Sequence, residues 1–453
     1  MKVIIVGAGR RGSRIAVELS KEDADIIFID TNKTRLDNVL NKLDCMGFLG
    51  SGTDIDLLEK AGCKDADAFI AVTANDETNI VACGLVASQF HIEKTIAAIK
   101  NLGWIGKDGI KGMLLGISEI VNPNVVTANS IYNIVNNGIY NNVITFNDSD
   151  FILYNYKVTK GERAIEESVK NIREKSSYDY IIAAVYSKGK SEVPKGNTII
   201  HEDDILSIVG KPKELAKLIP DVASSNNPSQ KIILVGGSTI TRFFLMLCTP
   251  RQLSNITLID MDKDICLQFA TEFPNIIVLN ADITDDTILK DANLTHHDLL
   301  ISLTDVDELN LITATYAKKI GIRRSISLIR QNINYLTMGE YLGIDSIIST
   351  TESTVETVIS KLRGSNVSSI HSIFGGTINI YEYTIDKDTP VCNKKLSEVD
   401  MRGKGIIAAI NTNGNKRIIP SGSYTLKEGD HVLVSVGGGK TKFIQQLFIK
   451  DGE

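Results

Sequence analysis

The chain has 453 residues, of which 43% are hydrophobic and 23% charged, with 49 basic against 55 acidic residues and a formal net charge of -6. That length allows about two to four domains, and the composition fits a soluble protein with real cores. The mildly acidic balance excludes an electrostatic footprint for nucleic acid or anionic lipid, and no apolar run approaches the roughly 18 residues of a membrane span.

The first predicted strand, Val3-Ile4-Ile5-Val6, is too short for a secretory leader. It runs directly into Gly7-Ala8-Gly9-Arg10-Arg11-Gly12, a G-x-G-x-x-G turn. Ser13 to Leu19 continue as a helix with Ile15, Ala16 and Leu19 on one face. Glycines in this pattern permit a tight turn, close backbone approach to a pyrophosphate, and close helix–strand packing. The helix N-terminus then offers free N–H groups and a partial positive charge to phosphate. One of Arg10 and Arg11 is expected on those phosphates, the alternative being two solvated residues at a helix start.

The second predicted strand, Ile26-Ile27-Phe28-Ile29, ends at Asp30, 18 residues after Gly12. A carboxylate there accepts hydrogen bonds from both ribose hydroxyls of adenosine and repels a 2′-phosphate, so NAD(H) is expected over NADP. Strands at Ala68–Val72 and Thr95–Ile99 alternate with helical patterns, which indicates a parallel sheet covered on both faces. Thr73, Ala74 and Asn75 stand at the carboxyl end of a strand, where ligands bind in open α/β sheets. Asp76 and Glu77 either join that cleft or serve the N-terminus of the next helix.

Around 151–210 the strands alternate more and carry turn signals such as Ser187-Lys188-Gly189-Lys190, which predicts a smaller α+β domain with hairpins. Pro220 to Pro228 is polar and proline-bounded and reads as a linker. Beyond it the chain repeats itself at an offset near 231. Thr73, Asp76, Glu77 and Asn79 pair with Thr304, Asp307, Glu308 and Asn310. Val6-Gly7 pairs with Val235-Gly236, Asp30 with Asp260, and Leu115-Gly116-Ile117 with Leu342-Gly343-Ile344. Ile181-Ile182-Ala183-Ala184 pairs with Ile406-Ile407-Ala408-Ala409, and Asp204 with Asp430.

The second glycine turn has decayed. Gly236-Gly237-Ser238-Thr239-Ile240-Thr241 keeps the first glycine but places Ser238 and Thr241 at the other two positions, while Asp260 remains. Gly236, Gly237 and Asp260 stay candidates for a weaker site, for a different nucleotide, or for no ligand. The expected architecture is α/β: two Rossmann-like doubly wound parallel-sheet domains at 1–125 and 230–352. Each is followed by a small α+β domain, at 140–222 and 367–453.

Other signals carry less. Gly439-Lys440-Thr441 resembles the end of a P-loop, but Val434 stands where that motif needs glycine. His296-His297 lacks metal-site spacing. The six cysteines, at 45, 63, 83, 248, 266 and 392, form no C-x-x-C and read as reduced, largely buried thiols.

The tandem order of glycine turn, acidic strand end, Thr-x-x-Asp-Glu-x-Asn and small domain resembles the Trk-type potassium-uptake regulatory family (TrkA), built from RCK modules (regulators of potassium conductance). The resemblance spans essentially the whole chain. It implies a non-enzymatic cytoplasmic subunit, peripheral to the membrane and not inserted in it. Such a subunit assembles as a homo-oligomer, a tetrameric ring, beneath a separate membrane potassium-translocating subunit. NAD(H), or ATP or ADP in some relatives, changes the ring and so ion flux. Carried onto this chain, the family's site falls on Gly7 to Arg11, Asp30, Thr73 and Ala74. Family members often carry arginine at the position of Ala98, where the resemblance implies a phosphate or ribose contact, and an acidic residue at that of Ser51; this chain departs from the pattern at both, and Ala98 stays a candidate cofactor-binding residue. The competing reading from the residues alone is an NAD-dependent dehydrogenase, which needs a general acid or base beside the nicotinamide; no His or Lys is convincingly placed for it.

Overall fold

A computed structural model of the chain describes residues 1–21, 24–101, 103, 115–137, 143–146, 151–158, 160–218, 230–285, 288, 296–362, 367–374, 377–401, 403–414, 416–437 and 442–448. The Pro220–Pro228 segment and the Gly439-Lys440-Thr441 triplet lie outside them.

The first half opens with β1 (Lys2–Val6), α1 (Arg10–Ser20), β2 (Asp25–Asp30), α2 (Lys33–Leu40), β3 (Met46–Leu49) and α3 (Ile55–Lys60). β4 (Ala68–Ala71), α4 (Asp76–Gln89), β5 (Lys94–Ala98), β6 (Glu119–Val121) and α5 (Pro123–Asn137) complete its larger part. The strands form a six-stranded sheet in the order β3-β2-β1-β4-β5-β6, parallel throughout. Residues of β1, β2 and β4 are buried from both faces, which is why those strands are unbroken apolar runs rather than alternating ones. The order reverses direction between β1 and β4, leaving a crevice at the carboxyl edge.

The first small domain holds β7 (Val143–Thr145), β8 (Ile152–Lys157), α6 (Val169–Lys175), β9 (Tyr180–Ser187), β10 (Lys190–Glu192), β11 (Ile205–Gly210) and α7 (Pro212–Leu218). Its sheet is antiparallel in the order β10-β9-β11-β8-β7. The Lys188-Gly189 turn joins β9 to β10 with positive φ at both residues (48° and 82°), the conformation that matches a two-residue hairpin to strand twist.

The second half repeats this plan. It runs β12 (Ile232–Val235), α8 (Thr239–Leu247), α9 (Pro250–Leu253), β13 (Ile256–Asp260), α10 (Lys263–Glu272), β14 (Ile277–Asn280), β15 (Leu299–Ser302) and α11 (Asp307–Lys319). β16 (Arg324–Ile329), α12 (Gly339–Leu342), β17 (Ser346–Ser349) and α13 (Thr350–Leu362) follow. Then come β18 (Val367–Ile373), β19 (Ile378–Thr384), β20 (Gly405–Asn411), β21 (Arg417–Ile418), β22 (His431–Gly437) and α14 (Lys442–Phe448). The parallel sheet β14-β13-β12-β15-β16-β17 and the antiparallel sheet β18-β19-β22-β20-β21 have the connectivity of their counterparts. The fold is two Rossmann-like sheets, each followed by a small antiparallel domain, as the repeat implies. Among the described residues no helix is long and apolar enough to cross a membrane.

The chain divides into two bodies: residues 1–141 with 226–358, and residues 142–225 with 359–453. Within the first body the two parallel-sheet lobes share a core. Ala128, Ile131 and Val135 of α5 lie in one cluster with Leu234, Phe244, Leu258 and Ile301 of the second lobe. Tyr132 meets the Phe244 ring edge-on, with centroids 6.4 Å apart. On the other side, Glu352 of α13 pairs with Arg14 of α1 at 2.8 Å.

Within the second body, Phe151, Leu153, Ala183 and Val209 share a cluster with Ile378, Ile380, Ala408 and Leu433. The pairing of β9 with β11 skips Ala183, and that of β20 with β22 skips Ala408. The repeat thus preserves a bulge at one alanine position. The carbonyl of Ala183 accepts a 2.8 Å hydrogen bond from Ser435 Oγ of the other sheet.

Ile131 is fully buried on a helix that belongs to one lobe by sequence and to the other by packing. Ile131→Ala is expected to lower stability by about 2–5 kcal/mol and to shift the unfolding of both lobes together. Two separate calorimetric transitions, only one of them shifted, contradict the shared core.

Candidate functional site: a phosphate-binding cleft at the first glycine turn

Gly7 takes φ +106°, and its N–H bonds the Ile29 carbonyl at 2.9 Å. A Cβ at Gly7 would lie 3.1 Å from the Thr73 nitrogen. At Gly12 a Cβ would fall 1.9 Å from the Gly7 carbonyl oxygen, so this glycine is fixed by packing and does not line the cleft. Gly9 differs from both: a Cβ there meets nothing within 4 Å, because open space lies beside it. Gly9 is also the N-cap residue of α1 and supplies no side-chain cap. The N-terminus of α1 therefore faces the opening without a partner of its own.

Asp30, 7% exposed, stands at the end of β2. Its Oδ2 accepts the Ala8 N–H at 2.6 Å and its Oδ1 accepts the Asn32 N–H at 2.7 Å. The carboxylate thus ties the glycine turn to the second strand while lining the cleft. Ala8 contributes this backbone N–H and is itself buried.

The repeated Thr-x-x-Asp-Glu-x-Asn sequence is a latch. Asn79, fully buried, accepts from the Thr73 N–H (2.9 Å) and Thr73 Oγ1 (2.7 Å) and donates to the Ala98 carbonyl (2.7 Å). It holds β4 and β5 together at their carboxyl ends. Asp76 Oδ2 accepts the N–H groups of Lys100 (2.9 Å) and Asn101 (2.8 Å). Asp76 is therefore more than a favourable charge at a helix start: it fixes the chain leaving β5. Ala98 does not reach the cleft, being buried on β5 with its carbonyl bound to Asn79. The residue that does reach it from this strand end is Lys100, whose Nζ lies 3.2 Å from the Ala74 carbonyl.

The resulting cleft has a volume of about 540 Å³. Gly7, Gly9, Arg10, Arg11, Asp30, Thr73 and Ala74 line it together. Arg35 joins from the first turn of α2 and Gly50, Ser51 and Gly52 from the turn after β3, and Arg330 and Thr351 come from the second lobe. Among the described lining, five basic side chains, Arg10, Arg11, Arg35, Lys100 and Arg330, surround a single carboxylate. Arg11 Nε is buried without a hydrogen-bond partner among the described residues. Burial, and then Arg10, hold the Arg11 guanidinium below its ordinary pKa, with Asp76 opposing. An anion supplies what such groups lack, so the donor set fits a phosphate chain.

The second cleft is smaller, about 250 Å³, and of opposite sign. Gly236, Gly237 and Asp260 line it, with Asp282 and Asp305 and no basic residue among the described lining. Arg10 and Arg11 correspond to Thr239 and Ile240, and Ile240 is fully buried. Ser238 caps α8 with a reciprocal capping box to Thr241, and Thr241 Oγ1 bonds the Gly236 carbonyl at 2.6 Å. The N–H groups that α1 leaves open are thus partly satisfied within the chain here. Asp260 persists because it binds the Gly237 N–H (2.6 Å) and Asp262 N–H (2.8 Å), the contacts Asp30 makes in the first copy.

Comparison with known proteins agrees with this duplicated plan. The model of the TrkA-N domain matches residues 3–123 and 232–350, and that of the TrkA-C domain matches residues 153–221 and 380–439. The chain belongs to the TrkA family. It is 26% identical to Trk system potassium uptake protein TrkA homolog 1 of Methanosarcina mazei, covering 99% of this chain and 100% of the relative. It is 25% identical to Trk system potassium uptake protein TrkA of Halomonas elongata, covering 96% of each. Among solved structures it resembles the GsuK channel bound to NAD, with a TM-score of 0.57, 16% identity, and coverage of 98% of this chain and 78% of that one. At that identity the likeness shows the fold.

The glycine turn, Asp30 and the Thr73 strand end, legible in the sequence, border the cleft. Arg35, Arg330 and Thr351 border it as well and were not legible in the sequence. Gly50-Ser51-Gly52 was a legible signal: Gly50 has φ +156°, and a Cβ on Gly52 would fall 2.4 Å from Val6 Cγ1. Gly12→Ala is expected to displace the turn and abolish ligand-induced stabilisation. Asn79→Ala, which strands buried partners, is expected to cost about 1–3 kcal/mol with binding weakened as a consequence. Denaturant melts with and without NADH check both.

Proposed function

We propose that the first cleft holds NAD(H), or an adenine nucleotide such as ATP or ADP, and that the chain is a non-enzymatic regulatory subunit of a membrane potassium-uptake system. The observation that carries this reading is the convergence of an uncapped helix N-terminus and five basic side chains on a cleft with one strand-end carboxylate. Gly7 to Arg11 and Lys100 would hold phosphates, and Asp30 the adenosine ribose. The names of the relatives, potassium uptake proteins matched over nearly their whole length, support the system. The NAD-bound structural neighbour supports the ligand class.

The regulatory step is a bias between conformations. A ligand shifts an equilibrium only by its difference in affinity for the two states, and a coupling of about 1–3 kcal/mol corresponds to roughly 5- to 150-fold. Assembly into a homo-oligomeric ring, tetrameric in this reading, would let several such clefts act on one cytoplasmic face of a membrane partner. The second cleft, with three carboxylates and a self-capped helix, takes no nucleotide in this reading.

Calorimetric titration of the full chain with NADH and with ATP tests the proposal. Saturable binding is expected at one site per chain. Asp30→Ala is expected to weaken it by about tenfold or more, and Asp260→Ala to leave it unchanged. Absence of saturable binding refutes the nucleotide reading; two sites of similar affinity refute the asymmetry. Potassium flux through the reconstituted membrane partner, with and without ligand, tests the regulatory role.

A further inference from the structure

Arg330 belongs to the second lobe by sequence, directly after β16, yet it lines the cleft of the first. Its backbone is pinned: the N–H donates to Asp307 Oδ1 at 2.8 Å, and the same carboxylate takes the N–H groups of Gln331 and Asn332 at 2.8 Å each. Its side chain is not satisfied to the same degree. Nη1 lies 2.9 Å from Asp305, a carboxylate whose own side chain is 83% exposed. Nε and Nη2 are buried with no hydrogen-bond partner among the described residues. The matching position in the first lobe is Lys100, which lines its own lobe's cleft. Arg330 instead lines the cleft across the lobe boundary, with Thr351 at the start of α13 beside it.

A guanidinium with two buried, unpartnered nitrogens lacks an acceptor. Arginine presents a planar fork suited to a phosphate. The cleft it borders contains Arg11, with its own buried unpartnered Nε. On the reading of this cleft as a nucleotide site, we propose that Arg330 binds the phosphate chain of the ligand held by the first lobe. One nucleotide then bridges both lobes, and the second copy, having lost cations from its own cleft, serves as a positioning arm of the first. Ligand occupancy in this arrangement sets the spacing of the two lobes rather than the shape of one. Burial holds Arg330 below its ordinary pKa, with Asp305 and Asp307 opposing, as expected of a cation lacking part of its neutralising charge.

The test compares the full-length chain with Arg330→Gln, by titration with NADH and ADP and by melting temperature with and without each. Affinity for both is expected to fall about tenfold or more. The ligand-free melting temperature is expected to hold or rise, because the ion pair lost among the described residues is to an exposed carboxylate. Undiminished affinity in Arg330→Gln overturns the inference while leaving the nucleotide reading intact. So does a lowered ligand-free melting temperature with an unchanged ligand-induced shift, which marks a purely structural role. Absence of binding by the unaltered chain overturns the nucleotide reading and the inference together. Should Arg330→Gln fail to fold, Arg330→Lys and Asp305→Asn carry the test. The first keeps charge but loses the fork and is expected to bind severalfold more weakly. The second frees the guanidinium from its competitor and is expected to bind more tightly. No change in either overturns the inference.

Discussion

A carboxylate at the end of the second strand of each parallel sheet holds the glycine turn in place, and the geometry of the cleft follows from it. In the first copy Asp30 takes the Ala8 N–H, and in the second Asp260 takes the Gly237 N–H, both at 2.6 Å. Each bond ties the turn after the first strand to the end of the parallel second strand and fixes the direction in which the next helix starts. The positive φ of Gly7 and Gly236 is tolerated for the same purpose. With the turn anchored, the direction of the α1 N-terminus is set before any ligand arrives, which is the preorganisation an anion site requires. The same bond explains why Asp260 outlasts the other features of its site: a backbone contact, and not a ribose, is enough to retain it.

The two copies show two ways to satisfy the N-terminus of one helix. Gly9 leaves the N–H groups of α1 open to the cleft; Ser238, at the same place, closes those of α8 with its own hydroxyl. The charges follow the same division. Arginines face the open end, and in the second copy a threonine and a fully buried isoleucine replace them. Helix capping and anion binding compete for the same donors, so a serine in the turn and the loss of basic residues act in one direction.

Most of the architecture was legible in the sequence because it repeats. Glycine turn, acidic strand end, Thr-x-x-Asp-Glu-x-Asn and the small-domain pairs recur in order, and the strand orders recur with them. What stayed hidden depends on contacts between distant segments. Asp76 reads as a helix-start acid because its partners, the N–H groups of Lys100 and Asn101, lie more than twenty positions away and carry no side-chain signature. Ala98 reads as a site residue from the family pattern, but its strand register buries it and gives its carbonyl to Asn79. Arg330 and Thr351 were invisible for a simpler reason. Their place at the first cleft requires that α5 enter the core of the other lobe, and the heptad-scale pattern of a helix does not reveal which sheet it covers.

The passage of α5 into the neighbouring core has an evolutionary corollary. A single-copy ancestor with this helix would have completed its core only by associating with a second copy, an exchange of identical elements between protomers. Within one chain that encounter is intramolecular, governed by effective concentration and not by protein abundance. Joining the copies in one chain also removed the symmetry that obliges both halves of a homodimer to carry every substitution. One half was then free to cap its own helix and to carry no arginines at its turn, provided it kept the surface on which the other half depends.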